Sequence, residues 1–544
     1  MLNSSENKIQ VLIVGAGPAG LMMGCQLAIQ GITFRIIDKQ EKRAQYSGAY
    51  LLQARTLEIW EQMGIATEAM QLGSIVKRIN LVHHGKLKSR INIEQMGRGV
   101  SRFPFIFMLK QSETEKLLCN FLEKRGIHIE RNTSLITFKN ENGGIKAEVK
   151  NGDQTKETIY CTYLVGADGA YSKVRSLLEI PWIGTKSEVP LFVSDCKIQC
   201  QTMAPNTLSD IFHNPKNQDI VFSISKESIA GFFPLKGGSW RLDSIIHGKV
   251  KERSEIQFDR AVEDFGQRTK MDMKVYSPDW FSMFYPNTYL AEWFSKEGCF
   301  LIGDAAHVHT PIGAQGMNTG MQDAYNLAWK IAFTIKHQAR SIVLDSYHGE
   351  RRPVAKELIH TTDKYFNLAI ENDSFSRWMR IYIIPSILTG FNKLLHVKSL
   401  QRSFFKRISE TGIAYKKSPL SAGNKKIRGL CKPGERLPFL RWTDATGEKK
   451  DLHQFIENKR FVLLAFRKAL KKNGPISGSD LGIIGYEDII KVKSIPYSQH
   501  TSKIYKKLLV KRILYVLVRP DGYLALSWKS DDLMPLKEYF RYFM

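Results

Sequence analysis

The chain has 544 residues, too many for a single hydrophobic core, and its 43% hydrophobic and 11% aromatic content is that of a folded globular protein. No apolar run reaches the ~20 residues needed to cross a bilayer, and the polar amino end MLNSSENK lacks the basic and apolar regions of a secretory signal; a cytoplasmic protein without a transmembrane segment is expected. The net charge of +26, about half of it beyond Lys425, would attract anionic partners, but no nucleic-acid motif accompanies it, so a solvated basic surface is expected rather than a specific nucleic-acid site.

In chain order, Ile9–Asp38 (IQVLIVGAGPAGLMMGCQLAIQGITFRIID) is strand, Gly-rich turn, helix, strand. The run Val11–Val14 suits a parallel strand buried on both faces, Leu21–Gln30 is helical, and Gly31 ends it. Alternating and β-branched residues from Arg78 to Ile93, and again from Val189 to Gly248, predict antiparallel sheet. Met317–His337 predicts a helix, and Phe366–Ile408 mixes aromatic and basic residues at helical spacing. KPGERLP (Lys432–Pro438) reads as a domain start, followed by strands at Phe461–Phe466, Ile513–Val518 and within RPDGYLALSW. Seven cysteines (Cys25, Cys119, Cys161, Cys196, Cys200, Cys299, Cys431) are scattered singly, as in a reducing compartment. Cys196 and Cys200 lack the second pair a zinc site requires.

Three strand ends carry the chemistry. Gly15, Gly17 and Gly20 form G-x-G-x-x-G between strand and helix: the first allows the tight turn, the second lets a pyrophosphate reach the backbone, the third lets helix and strand pack closely. Asp38, at the end of the next strand about 20 residues on, is placed to bind ribose hydroxyls, with Lys39 beside it. This predicts a dinucleotide without distinguishing FAD from NAD. YLVGADGAYSKVR then sets Asp168-Gly169 after an apolar strand, seven residues before Arg175, and LIGDAAHVHTPIGAQGMN sets Gly303-Asp304 after another.

With these three segments in this order, the chain resembles the single-component FAD-dependent aromatic-ring hydroxylases. ARTLEIWEQMGI (Ala54–Ile65), LDSYHGERRPVA (Leu344–Ala355) and GIAYKKSPL (Gly412–Leu420) extend the likeness. PGERLPFL to LVRPDGYLAL is similar to the thioredoxin-like extra domain of phenol and polyketide hydroxylases, here without C-x-x-C. The resemblance covers nearly the whole chain, most weakly over about 190–290 and 366–410.

It implies an α/β fold: a Rossmann-like FAD domain (1–75, 101–188, 290–365) interleaved with an antiparallel-sheet substrate domain (76–100, 189–289), then a helical segment and linker (366–424) and a thioredoxin-like domain (425–544). It implies that Asp304, after Gly303, holds the flavin ribityl chain. Asp168 and Arg175 would hold the fold near the pyrophosphate and help receive NAD(P)H. Gln111 would touch FAD, Leu135 would offer its backbone to adenine, and Pro311, Gly313, Gly316, Met317 and Asn318 would wrap the isoalloxazine ring. Where many members carry Arg, this chain has Gly48; where phenol hydroxylases carry an acidic residue facing the substrate, it has Tyr50, which would either assist phenol deprotonation or line the pocket. Phe233, Pro234 and Arg241, from the predicted sheet, are expected at the substrate.

The activity implied is NAD(P)H-driven hydroxylation of a phenolic or polycyclic aromatic by O2, through a flavin C4a-hydroperoxide, with a homodimer as the assembly such an enzyme can form. An antibiotic-modifying hydroxylase is the alternative. A halogenase is disfavoured because none of the nine Trp lies in W-x-W-x-I-P, and a non-catalytic basic binding protein because all three motifs are intact. His307 and His309, either side of Val308, have no H-x-x-x-H or H-E-x-x-H partner. They read as turn histidines bonding backbone rather than as metal ligands. Trp378 and Tyr382, among basic residues, suggest subunit or domain packing before a membrane-surface helix.

Overall fold

The computed structural model describes residues 8–43, 48–83, 85–141, 143–200, 208–214, 216–225, 229–246, 257–311, 313–370, 397–422, 431–468 and 486–544. Trp378 and Tyr382 lie outside the described residues, as does the middle of the predicted helical stretch; its described ends are helical, in Ile342–Ile370 and Lys398–Ile408.

The first sheet runs Ser295–Lys296, Cys299–Leu301, Lys156–Gly166, Lys8–Val14, Phe34–Ile37, Ile129–Glu130. Its four central pairings are parallel, and Val11, Leu12, Ile13, Leu164 and Val165 are fully buried, as expected of strands covered on both faces. Val14 stands opposite both Gly166 and Ile37, and Gly166 opposite Leu301. This register brings all three motifs out at one level: Gly15 after Val14, Asp168 after Gly166, Asp304 after Leu301. The Pro18–Gln30 helix begins on Pro18, whose fixed φ and missing N–H suit a first turn, and ends at Gly31 in the left-handed region (φ 66°). It packs against the long Gly316–His337 helix. Their amino ends close onto Gly303, where a Cβ at Gly320 would come within 3.0 Å of the Gly303 Cα.

A second sheet of seven strands runs Met273–Phe284, Leu191–Cys200, Trp240–Ile245, Ile229–Pro234, Asp219–Ile224, Arg78–His83, Lys86–Asn92. The expected antiparallel order holds except between Asp219–Ile224 and Arg78–His83, which are parallel. These two strands are far apart in sequence, so no hairpin fixes their relative direction. Alternation divides the faces. Phe192, Cys196, Val221, Phe232, Trp240 and Leu242 are buried against Phe212 of Leu208–His213 and Phe265 of Phe258–Thr269. Cys196 and Cys200 both belong to this apolar layer. The opposite face, with Leu191, Ile220, Phe233, Asp243 and Ile245, turns toward Tyr50, Leu51, Ile106 and Pro311.

At the carboxyl end a four-stranded sheet runs Ile490–Pro496, Phe461–Arg467, Ile513–Val518, Leu524–Trp528, its first pair parallel and the others antiparallel. One face packs on Trp329 and Phe333 of the Gly316–His337 helix, within one core cluster that also holds Phe461, Tyr515 and Phe540. Among the described residues no helix is long and apolar enough to cross a membrane.

Candidate active site

A cavity of about 500 Å³ opens where the three motif-bearing strands end. Gly17, Pro18 and Ala19 line one side, Ala167 and Gly169 the floor, Gly303 and Asp304 a second side, and Gly316, Met317 and Gly320 a third. Two helix amino ends therefore point into one space. Neither carries a side-chain cap: Pro18–Gln30 starts after Gly17, which has no side chain, and Gly316–His337 after Gln315, whose amide donates to Arg407 O and Ile408 O instead. Uncapped amino ends supply free N–H donors and positive dipole to an anionic ligand.

The glycines sort by what a Cβ would meet. At Gly15 (φ 105°) it would lie 2.3 Å from the Ala167 carbonyl, and at Gly20 1.9 Å from that of Gly15, so both are required by packing. At Gly17, Gly48 and Gly169 it would meet nothing within 4 Å, and all three line the cavity. These are the positions at which an extended ligand can lie against bare backbone. The Asp304 side chain is exposed in the cavity and, among the described residues, accepts no protein hydrogen bond. Gln111 lines the same space; its N–H donates to Ala49 O (2.9 Å) and its Nε2 to Glu115 (2.9 Å).

Other expected residues act at one remove. The Asp38 carboxylate accepts the Ala16 N–H (2.6 Å) and the Gln40 N–H (2.8 Å), bracing the Gly-rich turn. Asp38, exposed Lys39 and Leu135 lie outside the cavity lining, and Leu135 pairs with Val149 in the Ser134–Glu141 strand. Asp168 accepts the Lys173 and Val174 N–H groups, while its buried Oδ1 has no protein partner among the described residues. Arg175 donates to Ala305 O (2.9 Å) and Ala170 O (2.7 Å) and stacks on Trp182, tying two motif segments together. Asn318 is fully buried: its Oδ1 accepts from Gln53 N–H and the Thr56 hydroxyl, and its Nδ2 donates to Leu51 O and Ala314 O. It clamps the turn before the helix, leaving Pro311, Gly316 and Met317 to line the cavity.

The two histidines part company. His307 is buried and bonds Asp323 through Nε2 (2.7 Å), while Arg351 holds the other Asp323 oxygen (2.6 Å). His309 lines the cavity, and its Nδ1 donates to Thr310 O (2.6 Å). Burial pushes its pKa down to about 4, so the ring is neutral and its unpartnered Nε2 is an acceptor.

A second, apolar cavity of about 460 Å³ lies under the seven-stranded sheet. Ile79, Ile220, Phe222 and Phe233 roof it, Met96 and Ile106 flank it, and Phe366, Phe404 and Ile408 come from the Ile342–Ile370 and Lys398–Ile408 helices. Four residues line both cavities: Tyr50, Asp243, Pro311 and Ala314, with Gly313 on the apolar side. The Tyr50 hydroxyl donates to Asp243 Oδ2 (2.9 Å), and its ring packs on Phe233 (4.5 Å between centroids). Arg241, expected at the substrate, lines neither cavity. It is buried against Asp195 (2.7 Å), donates to Gly48 O (2.9 Å) and lies over the Tyr50 ring (4.8 Å), so it positions the partition from behind. Asp243, two residues along the same strand, is the site residue that the sequence reading passed over. The alternation in WRLDSI, polar Arg241 and Asp243 against apolar Trp240 and Leu242, carried the signal.

Three strand ends at one level, two uncapped helices and bare glycine backbone around one cavity define a protein of the dinucleotide-binding class. The FAD binding domain family model matches residues 8–362, and the chain belongs to that family. It is 28% identical over 531 residues to an uncharacterized aromatic compound monooxygenase of Bacillus subtilis, covering 97% of this chain and 95% of the relative. To a rifampicin monooxygenase of Streptomyces venezuelae it is 26% identical over 530 residues, covering 97% and 96%. The OxyS anhydrotetracycline hydroxylase of Streptomyces rimosus shares the fold with a TM-score of 0.75 at 23% identity, covering 98% and 99%. The chain is an FAD-dependent monooxygenase of the aromatic-hydroxylase type.

Proposed function

We propose that this enzyme hydroxylates a phenolic polycycle held in the apolar cavity, with NAD(P)H as electron donor: ArH + O2 + NAD(P)H + H⁺ gives ArOH + H2O + NAD(P)⁺. The observation that carries the reading is the shared wall, Tyr50, Asp243, Pro311 and Ala314, which sets an apolar chamber of ligand size directly against the cofactor cavity. The names of the relatives, a rifampicin monooxygenase and an anhydrotetracycline hydroxylase, support a multi-ring substrate.

Bound FAD supplies the transfer of electrons to O2 and of one oxygen atom to the ring. The protein's part is positional. Gly17 and the Pro18–Gln30 amino end would receive the pyrophosphate, Asp304 the ribityl hydroxyls, and the Gly316 helix end the pyrimidine edge of the ring, where reduced flavin gathers negative charge. The isoleucine and phenylalanine walls exclude water from the reacting ring. The mixed four-strand order supports reading the carboxyl unit as thioredoxin-like; burial pushes the Cys431 thiol up to about 12, which makes it unreactive at neutral pH.

The test is purification with FAD followed by NADPH and NADH oxidation across a panel of polycyclic phenols. A yellow protein whose oxidation rate rises with a phenol, yielding a product one oxygen heavier, is expected. A protein that takes up no FAD, or that no phenol stimulates, overturns the reading.

A further inference from the structure

Asp243 is, among the described residues, the one carboxylate on the wall shared by the two cavities. Its oxygens differ. Oδ2 accepts the Tyr50 hydroxyl at 2.9 Å, whereas Oδ1 is buried and, among the described residues, has no protein partner. A buried carboxylate oxygen left without a donor is costly, and such an atom on a ligand cavity is suited to a donor carried by the ligand.

Resting on the hydroxylase reading above, we propose that Asp243 is the catalytic base that takes the phenolic proton of the substrate. The substrate O–H bond breaks, its proton passes to Asp243, and the electron pair stays on oxygen as phenolate, raising the electron density of the ring toward the incoming oxygen atom. When the hydroxylated ring loses its C–H proton, which joins the second oxygen atom of O2 in the water that leaves, and regains aromaticity, Asp243 returns its proton to the original oxygen, and the carboxylate is restored.

The surroundings fit this assignment. Burial pushes the Asp243 carboxyl up to about 6, so near neutral pH it is ionised yet far more basic than an ordinary aspartate, the range suited to a general base. The charged and titratable groups facing it are Arg241, on its own strand, which opposes the rise; Asp195, on the neighbouring strand, which adds to it; and Tyr50, whose hydroxyl bonds the charged form. Tyr50 itself is not the base. Burial and the Asp243 charge hold its pKa well above the usual tyrosine value, and its proton already points at Asp243. It is a positioning residue that leaves Oδ1 as the free acceptor.

The test uses FAD-loaded enzyme and 2-hydroxyanthraquinone, a tricyclic phenol whose neutral form is yellow and whose phenolate is red, at a pH one unit below the ionisation of the free dye, where Asp243 is itself ionised. The wild type is expected to bind the dye and turn it red. Asp243→Asn keeps the shape and an acceptor for Tyr50, so it is expected to retain FAD and bind the dye with similar affinity while the red fraction falls about tenfold. Asp243→Glu, which restores a carboxylate, is expected to recover part of the red form. Dye that stays yellow when bound to the wild type, or that turns equally red in D243N, overturns the assignment and leaves the hydroxylase reading standing. Failure of the wild type to bind the dye removes the aromatic reading of the cavity together with the assignment.

Discussion

Arg519 and Glu350 form a two-pronged ion pair at zero solvent exposure, Nη1 to Oε1 at 2.6 Å and Nη2 to Oε2 at 2.8 Å, joining the hairpin after Ile513–Val518 to the Ile342–Ile370 helix. Lys330 Nζ reaches the same carboxylate at 2.8 Å, and Arg519 also holds Asp521. Burial alone would raise the Glu350 pKa, but the two cations hold it well below the usual carboxylate range. Removing one partner of a buried pair leaves uncompensated charge. Arg519→Ala is therefore expected to cost about 3–5 kcal/mol. Urea unfolding checks it; a midpoint near that of the wild type would show that the pair contributes little.

Gly17 and Gly20 stand three residues apart and predict opposite outcomes. A methyl at Gly20 strikes the Gly15 carbonyl, so Gly20→Ala is expected to give little folded protein. A methyl at Gly17 meets no protein atom and enters the cavity, so Gly17→Ala is expected to fold with an unchanged apoprotein melting temperature and to purify with little FAD. The ratio of flavin to protein absorbance, read beside circular dichroism, separates the two.

Asp304→Ala is expected to lose FAD on dialysis, because the carboxylate has no protein partner among the described residues to make it structural. Unchanged FAD affinity in this variant would remove the ribityl assignment.

Glu410 gives a pH dependence. It is buried, accepts the Thr319 hydroxyl at 2.9 Å and the Gln322 amide, and burial pushes its pKa up to about 7. A carboxyl whose folded pKa exceeds its unfolded value favours the fold when protonated. That contribution is complete below the unfolded pKa of about 4.3 and is lost as pH rises through 7. Glu410→Gln can keep both hydrogen bonds, donating to the Thr319 hydroxyl and accepting from Gln322, without a titrating proton. Between pH 5 and 8 the wild type is expected to lose on the order of 2 kcal/mol relative to E410Q. Parallel stability curves for the two proteins would contradict the assignment.

The parts of the site legible in the sequence are those in which one short segment performs one task. Gly15, Gly17 and Gly20 announce a turn, a close approach and a helix contact within six residues, and the Gly303-Asp304 step follows its own strand. Their convergence needs only the parallel register, which the apolar runs before each of them already suggest. Asp243 was not legible in this way. Its partner Tyr50 lies 193 residues earlier, and the two meet only because the seven-stranded sheet closes over the Tyr50 segment. Arg241 was singled out for its chemistry, yet period-two alternation puts it on the same face as Asp243 without saying how deep either sits. Asn318 fits the flavin motif by position, but four hydrogen bonds to protein turn it into a clamp. The single parallel pairing in the second sheet was likewise beyond a reading that sees only local alternation.

The partition of Tyr50, Asp243, Pro311 and Ala314 also bears on how such an enzyme changes its trade. Ile79, Met96, Ile106 and Phe404 of the apolar chamber belong to different segments from the glycines and helix ends of the cofactor chamber. Exchanging Ile79, Met96, Ile106 or Phe404 for larger or smaller neighbours would recut the hollow for another ring system while the oxidising half stays untouched. A lineage built on this plan can wander widely in what it oxidises, and inherit unaltered the means of oxidising it.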